Sequence, residues 1–527
     1  MLNELKIFNH IKWYPVLFIF LLSLWFTGLG GEYSLNDDWM YASAVKSLVN
    51  ERTYKVIGEF SPYIFLQVIF AWFLSLLYGS FSFVILRVST LIWSLAGLYA
   101  MYKSVKLIAG DNTKAIFAAL ILLANPLFYN MSFSFMSEVP FVALLLLSAM
   151  QYILFVQKNK DKHRYLGALF SIMAFLVRQP GILLFLSFEF VFLKSKNTCR
   201  KCFLKFLIPI SISILLYLGV ELFLKPYLSL TDNYISVLKE IPVINPLHWF
   251  SSLLQRYLMM VYYTGLLLIV FFPAVIKIFS KEKTYRRLWF WFIVVFNAGI
   301  MLFLASTGRY FPFSGNVIYN FGLGVPLLAD YDYLRSANFP HISVYLIMIF
   351  GLAIQIYSFL FFRLLARKVL TKFKEGNAPM MVKVIIIFLL FYTLLMFSFS
   401  FFDRYVLPVS VFVLLLVAYL YPAWLKLSKA SLVLWILIFA YSLLGTKDYL
   451  NWNNAVLKEK NALLQKAVDR KDIFAGLSQN AWDTGSGKLS NQKYIFSWSE
   501  KKGYTVYKKI KYKRYLYGDN TILLLKK

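Results

Sequence analysis

The chain has 527 residues, of which 60% are hydrophobic and 19% aromatic, and it carries 55 Lys+Arg against 25 Asp+Glu for a formal net charge of +30. So apolar a composition excludes an ordinary soluble domain. The positive charge does not indicate nucleic-acid binding, because the cations lie in short clusters between apolar runs, the positive-inside pattern of a polytopic membrane protein.

Apolar runs of roughly 17–25 residues, enough to cross about 30 Å of hydrocarbon, recur between Trp13 and Leu444. The first, residues 13–29, lacks a small-residue cleavage site and is followed by further spans, so it reads as a retained helix and not a signal peptide. Basic clusters at residues 6–12, 103–114, 158–164, 194–205, 277–287, 363–383 and 426–429 are placed inside. The N-terminus is then inside, and residues 30–62, 129–140, 224–256, 307–340 and 398–407 are outside, as is the turn near Arg178. Residues 63–78 break the alternation if they cross, so they are predicted to form a re-entrant or surface-lying helix on the outer face, with Pro62 at its start. The expected fold is an all-α polytopic membrane protein of about thirteen transmembrane helices with outer-face juxtamembrane helices. The last span, residues 431–444, runs outward. From Lys447 the long apolar runs give way to short alternating stretches, predicting a transmembrane domain over 1–446 and a small outer-face α/β or β-rich soluble domain over 447–527.

Acid is scarce, which singles out Asp37-Asp38 directly after the first span. Ser34 and Asn36 are good caps, predicting a helix from about Asp37 to Asn50 whose apolar face (Tyr41, Ala44, Val45, Leu48) lies on the membrane surface. Glu138 follows the Asn125-Pro126 break and starts the fourth span. A carboxylate complementing a helix dipole is the plain alternative for Asp37, Asp38 and Glu138. Two outer loops that each present an acid also suit a general base with a supporting carboxylate.

The cations complement these acids. Arg178 sits in Val177-Arg178-Gln179-Pro180-Gly181, an apolar hairpin where a charge is expensive. Arg404 sits in Phe402-Asp403-Arg404-Tyr405-Val406-Leu407-Pro408 at the mouth of the twelfth span, where its donor fork suits phosphate. Its plain alternative is a surface Asp403–Arg404 pairing or snorkelling. Arg309, followed by Tyr310, is a third candidate. The two cysteines, Cys199 and Cys202, read as loop thiols, because only His10, His163, His248 and His341 could join them in a metal site.

These motifs together resemble the GT-C class of integral-membrane glycosyltransferases, in the branch of lipid A aminoarabinose transferases, protein O-mannosyltransferases and bacterial polyprenyl-phosphate-sugar relatives. Asp37-Asp38-Trp39-Met40-Tyr41-Ala42 is similar to the family's Asp-Glu-x-x-Tyr-Ala, and Ser61-Pro62-Tyr63 to its proline-containing surface helix. Arg87 falls where an Arg commonly opens the second span. Glu138-Val139-Pro140, the Arg178 turn and Asp403-Arg404-Tyr405-Val406-Leu407-Pro408 resemble its later motifs. The resemblance covers roughly residues 1–445, with Asp38 where the family usually has Glu and Glu138 where it often has Asp.

It implies inverting transfer of a sugar from a polyprenyl-phosphate donor to a lipid, glycan or protein acceptor at the outer face of the cytoplasmic (inner) membrane. Asp37 matches the catalytic base, with Asp38 and Glu138 the other catalytic acids. Arg178 and Arg404 match donor-phosphate contacts, joined on the substrate-binding side by Tyr41, Tyr405 and Arg309. No metal is assigned, and the sequence gives no support for a divalent cation. The alternatives are a transporter or flippase of lipid-linked glycans, which should show inverted repeats and mid-span charges, and a relative retaining only a scaffold role.

Overall fold

The computed structural model describes residues 13–56, 65–195, 246–281, 285–306, 316–319, 322–325, 328–329, 344–398, 401–516 and 520–527, together with Ser211 and Leu215. The chain is a mostly helical, multi-pass membrane protein with a small C-terminal sheet.

Helix α1 (Tyr14–Thr27) has Pro15 in its first turn and stops at Gly28, where φ of 73° suits a residue without Cβ. Two shorter helices, α2 (Asp38–Asn50) and α3 (Phe65–Tyr78), precede the long α4 (Phe83–Ala109). Ser82 caps α4 by accepting from the Val84 and Ile85 amides. Glu32 accepts from the Ser82 hydroxyl at 2.6 Å and the Phe83 amide at 2.8 Å, placing a carboxylate at the positive end of the helix. Helix α5 (Asn112–Ala124) bends by 67° into α6 (Pro126–Ser132) at the expected break. Pro126 cannot continue the ladder, and the Asn125 side chain caps the new helix by accepting from Leu127 and Phe128. Helix α7 (Glu138–Lys158) follows, then α8 (Asp161–Phe175) and α9 (Ile182–Ser195), which flank the Arg178 turn.

Among the described residues six helices are long and apolar enough to cross a membrane, or up to eight if each of two bent pairs is one span. They include α4, α7, and the helices Met380–Phe397 and Lys429–Gln465. Large apolar side chains stay exposed along them, such as Leu437 and Leu390, which in water would be an aggregation surface and in a bilayer faces lipid. The count is below the thirteen expected. Helices α1, α8 and α9 have 14, 15 and 14 residues, a rise of roughly 21 Å against about 30 Å of hydrocarbon. The span expected within residues 206–223, the proline at position 62 and the N-terminal basic cluster lie outside the described residues. Helix α3 has 14 described residues, fewer than the roughly 17–25 that a crossing takes.

Helix α2 begins where expected, but its apolar face does not lie on a membrane surface. Ala44 and Val45 are fully buried, with Tyr41 and Leu48 packed beside them, against Val68 and Ala71 of α3 and against Phe83, Leu86 and Phe135. The face that fits a lipid surface fits a neighbouring helix equally well, and α3 covers it.

Arg87 of α4 is completely buried. It donates to the carbonyls of Leu29 at 2.8 Å, Gly31 at 2.7 Å and Tyr33, and stacks over the Tyr33 ring at 4.6 Å. One guanidinium thus shapes the loop that delivers α2. Replacing it by methionine strands the buried Tyr33 carbonyl and the half-buried carbonyls of Leu29 and Gly31, at a cost of about 1–3 kcal/mol for the buried one and less for the others. The expected result for Arg87→Met is a melting temperature in detergent several degrees below wild type, and an unchanged value would contradict this role.

The helix Lys429–Gln465 runs through the expected boundary at 446/447 without interruption. Its continuation stays helical because Tyr449, Trp452, Val456, Lys460 and Leu463 form a buried stripe at helical spacing. After a short antiparallel pair, β1 (Ile318–Tyr319) and β2 (Gly322–Leu323), the C-terminal sheet is built from β3 (Ile473–Phe474), β4 (Tyr494–Ser497), β5 (Thr505–Lys511) and β6 (Thr521–Lys526) in the order β3-β4-β6-β5. Pair β3–β4 is parallel and the other two are antiparallel, with the helix Leu477–Thr484 between β3 and β4.

Candidate active site

Four of the charged residues picked out in the sequence converge. Asp37 caps α2 by position, yet its side chain makes no capping hydrogen bond. Its Oδ2 instead accepts from both Nη1 and Nη2 of Arg404, each at 3.1 Å. Arg404 Nε lies 3.4 Å from Glu138 Oε1, the oxygen that also takes the Arg178 guanidinium at 2.6 Å. Two acids and two cations therefore alternate in one line, Asp37–Arg404–Glu138–Arg178. Aromatic rings enclose it: Arg178 lies 5.1 Å from the Tyr405 ring centre, and Arg404 lies 5.7 Å from the same ring and 5.1 Å from that of Phe402.

Exposure separates the roles open to these groups. The side chains of Glu138, Arg404 and Arg178 are 3%, 10% and 16% exposed, whereas that of Asp37 is 32% exposed. Asp37 is thus the acid that an incoming molecule can reach, oriented from behind by Arg404. Among the described residues, the buried Glu138 Oε2 and Arg404 Nε have no hydrogen-bond partner, and such polar atoms are costly unless water or a ligand satisfies them. Tyr41 is near the same charges, and burial followed by Glu138 pushes its phenol above the ordinary value, so it remains a neutral hydroxyl. At Arg178 burial works against the charge, but Glu138 outweighs it and raises the guanidinium above its ordinary value.

Asp38 points away from this line. It is fully buried, and its oxygens accept from the Leu35 amide at 2.7 Å and the Phe135 amide at 3.1 Å. Asp38 therefore ties the loop before α2 to the loop before α7, rather than standing beside Asp37. Burial, only partly offset by Arg87 and those two amides, pushes its carboxyl up to about 7. A raised acid favours the folded state when protonated. That contribution is complete below about pH 4 and is lost as the pH rises through about 7. Melting temperature should therefore fall between about pH 5 and pH 8 in the wild type and be flatter in Asp38→Asn. Parallel slopes would contradict it.

Asp403 is not in a surface pairing with Arg404. It is fully buried and accepts four backbone amides, from Asn316 (2.8 Å), Val317 (2.9 Å), Ile318 (2.6 Å) and Arg404 itself (2.7 Å). Asn316 Oδ1 in turn accepts from Asn36 Nδ2 at 2.6 Å. Apart from the adjacent Arg404 amide, these partners are 85 to 87 and 280 residues apart in the chain, and no local pattern announces them. Arg309, Cys199, Cys202, His10 and His341 lie outside the described residues. Among the described residues, no group of three or more His, Cys, Asp or Glu side chains comes together to hold a metal.

Residues 65–221 match the family model of dolichyl-phosphate-mannose-protein mannosyltransferases. The match covers less than half of the chain but includes Glu138 and Arg178, and it bears out the resemblance to GT-C membrane glycosyltransferases. No curated protein matches the chain. Among solved structures, ArnT from Cupriavidus metallidurans bound to undecaprenyl phosphate is 12% identical with a TM-score of 0.42, over 90% of this chain and 74% of that one. The Archaeoglobus fulgidus oligosaccharyltransferase AglB, in complex with an inhibitory peptide and a dolichol-phosphate, is 12% identical with a TM-score of 0.42, over 85% of this chain and 58% of that one. The apo form of an Archaeoglobus fulgidus oligosaccharyltransferase is 15% identical with a TM-score of 0.32, over 40% of this chain. The alignment spans only 30% of that protein's length.

Proposed function

We propose that the protein transfers a sugar from a polyprenyl-phosphate-linked donor to a hydroxyl or amine on a lipid, glycan or protein acceptor, at the outer face of the cytoplasmic membrane. The observation that carries this is the reachable Asp37 carboxylate held by Arg404, with Arg178 and Glu138 behind it. Asp37 takes the acceptor proton as the acceptor attacks the anomeric carbon. The bond from that carbon to the phosphate oxygen breaks, and the negative charge appearing on the polyprenyl phosphate is held by Arg178 and Arg404. Attack opposite the leaving phosphate inverts the anomeric centre. Glu138 keeps the two guanidinium groups together in a buried site where they would otherwise repel. Tyr41 and Tyr405 border the same space and are assigned to substrate contact. The convergence of four distant charged residues supports an enzyme over a transporter, which would distribute such groups along a mid-membrane path.

The test is product formation by the purified full-length protein in nanodiscs, incubated with a polyprenyl-lipid extract and an envelope extract of the source cells. Release of free polyprenyl phosphate with a matching gain of glycosylated acceptor, read by mass spectrometry, is expected. Movement of intact lipid-linked glycan across the bilayer without cleavage would overturn the reading in favour of a flippase.

A further inference from the structure

The Asp37–Arg404 contact is one side of a closed ring. Asn36, next to Asp37 in the chain, donates to Asn316, and the Asn316 amide donates to Asp403, which is next to Arg404. The ring closes through the two hydrogen bonds from Arg404 to Asp37. Asn36, Asn316 and Asp403 are all buried. Asn36 also has φ of 54°, a left-handed conformation that asparagine tolerates better than most side chains and that suits the tight turn into α2.

The C-terminal domain grips this ring twice. Ser478, on the helix Leu477–Thr484, donates to the Asn36 carbonyl at 2.6 Å. That helix is itself fixed, with Lys460 and Asp483 paired in a buried salt bridge and Trp482 stacked on Phe81 at 5.5 Å and edge-on to Phe83 at 4.9 Å. The second grip starts at Asn316. The hairpin of β1 (Ile318–Tyr319) and β2 (Gly322–Leu323) leads to Gly324, with φ of 84° and no room for a Cβ against the Tyr449 ring. A few residues on, the Ala329 amide donates to Phe496 of β4 at 2.9 Å, and Lys501 donates to the Ala329 carbonyl at 3.1 Å.

We propose that Asn316 and Ser478 are positioning residues that hold Asp37 in register with Arg404, which makes the C-terminal domain a working part of the site. What they position rests on the glycosyltransferase reading; that they hold the loop does not. Displacing a reacting group by about 1 Å costs on the order of a hundredfold in rate, so loss of the ring is read in turnover more than in substrate affinity.

Two measurements on the full-length protein in detergent test this. Hydrogen exchange followed by mass spectrometry should show faster exchange over residues 33–41 in Asn316→Leu and Ser478→Ala, and wild-type exchange in Asn316→Asp, which keeps the acceptor for Asn36. Initial rates of transfer against dilutions of the polyprenyl-lipid extract should fall about tenfold or more in maximal rate for Asn316→Leu, with half-saturation within about twofold and recovery to within about threefold in Asn316→Asp. Wild-type exchange over residues 33–41 in both Asn316→Leu and Ser478→Ala overturns the inference whatever the reaction proves to be. Faster exchange with an undiminished maximal rate overturns the positioning role. Absence of transfer by the wild type overturns the glycosyltransferase reading alone, leaving the exchange result to decide the ring.

Discussion

Asp37→Asn should abolish transfer while leaving the protein folded. The amide keeps the shape of the carboxylate and can still accept from Arg404, so the helix start and the buried Arg404–Glu138–Arg178 line stay in place. What it loses is the ability to take a proton. General-base catalysis contributes about 10²–10⁴-fold, and a drop of that size in maximal rate is expected. The melting temperature should stay within a few degrees of wild type, because the substituted side chain is a third exposed and its ion pair is the most solvent-screened in the line. Asp37→Glu retains a base one methylene out of place and should fall between the two. Near wild-type transfer by Asp37→Asn would remove Asp37 from the role and move it to Glu138.

Asp403→Ala should be the most destabilising single change in the neighbourhood. Four backbone amides point at one buried carboxylate, and each donor left unsatisfied costs about 1–3 kcal/mol. Water can reclaim part of this only if the segment 316–318 peels away, and that movement withdraws Asn316 from Asn36 and frees the backbone of Arg404. Loss of stability and loss of activity are therefore coupled at this residue, unlike at Asp37. Asp403→Asn keeps the volume and one acceptor oxygen, so it should lose less on both counts. Thermal unfolding in detergent and initial-rate measurements on the same preparations check both. An alanine variant that melts and turns over like wild type would show that the amide cluster carries no weight.

The residues legible in the sequence are those whose chemistry is out of place locally. An acidic pair in a cation-rich chain, an arginine in an apolar hairpin and an arginine at a helix mouth stand out without any structure, and Asp37, Glu138, Arg178 and Arg404 do lie together. Helix punctuation was partly readable: the Asn125-Pro126 bend and the C-terminal strands follow from proline with its capping asparagine and from alternation. Helix α2, in contrast, starts where expected but with Asp37, not Ser34 or Asn36, at its N-cap and no side-chain capping bond. Other features depend on partners that chain distance hides. Adjacent Asp37 and Asp38 look alike on paper, and only the amides of Leu35 and Phe135 turn one of them inward. Asp403 was read through its neighbour Arg404, because a carboxylate that binds backbone amides leaves no side-chain pattern in the sequence. The buried face of α2 and the unbroken helix Lys429–Gln465 went the same way: an apolar stripe declares that it is covered, not by what.

The most direct test of the proposed reaction is mass spectrometry of envelope glycans and lipids from a strain lacking the gene, complemented with the wild-type chain or with Asp37→Asn. Loss of one sugar modification in the deletion, accumulation of its polyprenyl-phosphate donor, recovery with wild type and none with Asp37→Asn are the predicted result. Full recovery of the modification by Asp37→Asn, or an envelope unchanged by the deletion, would contradict it.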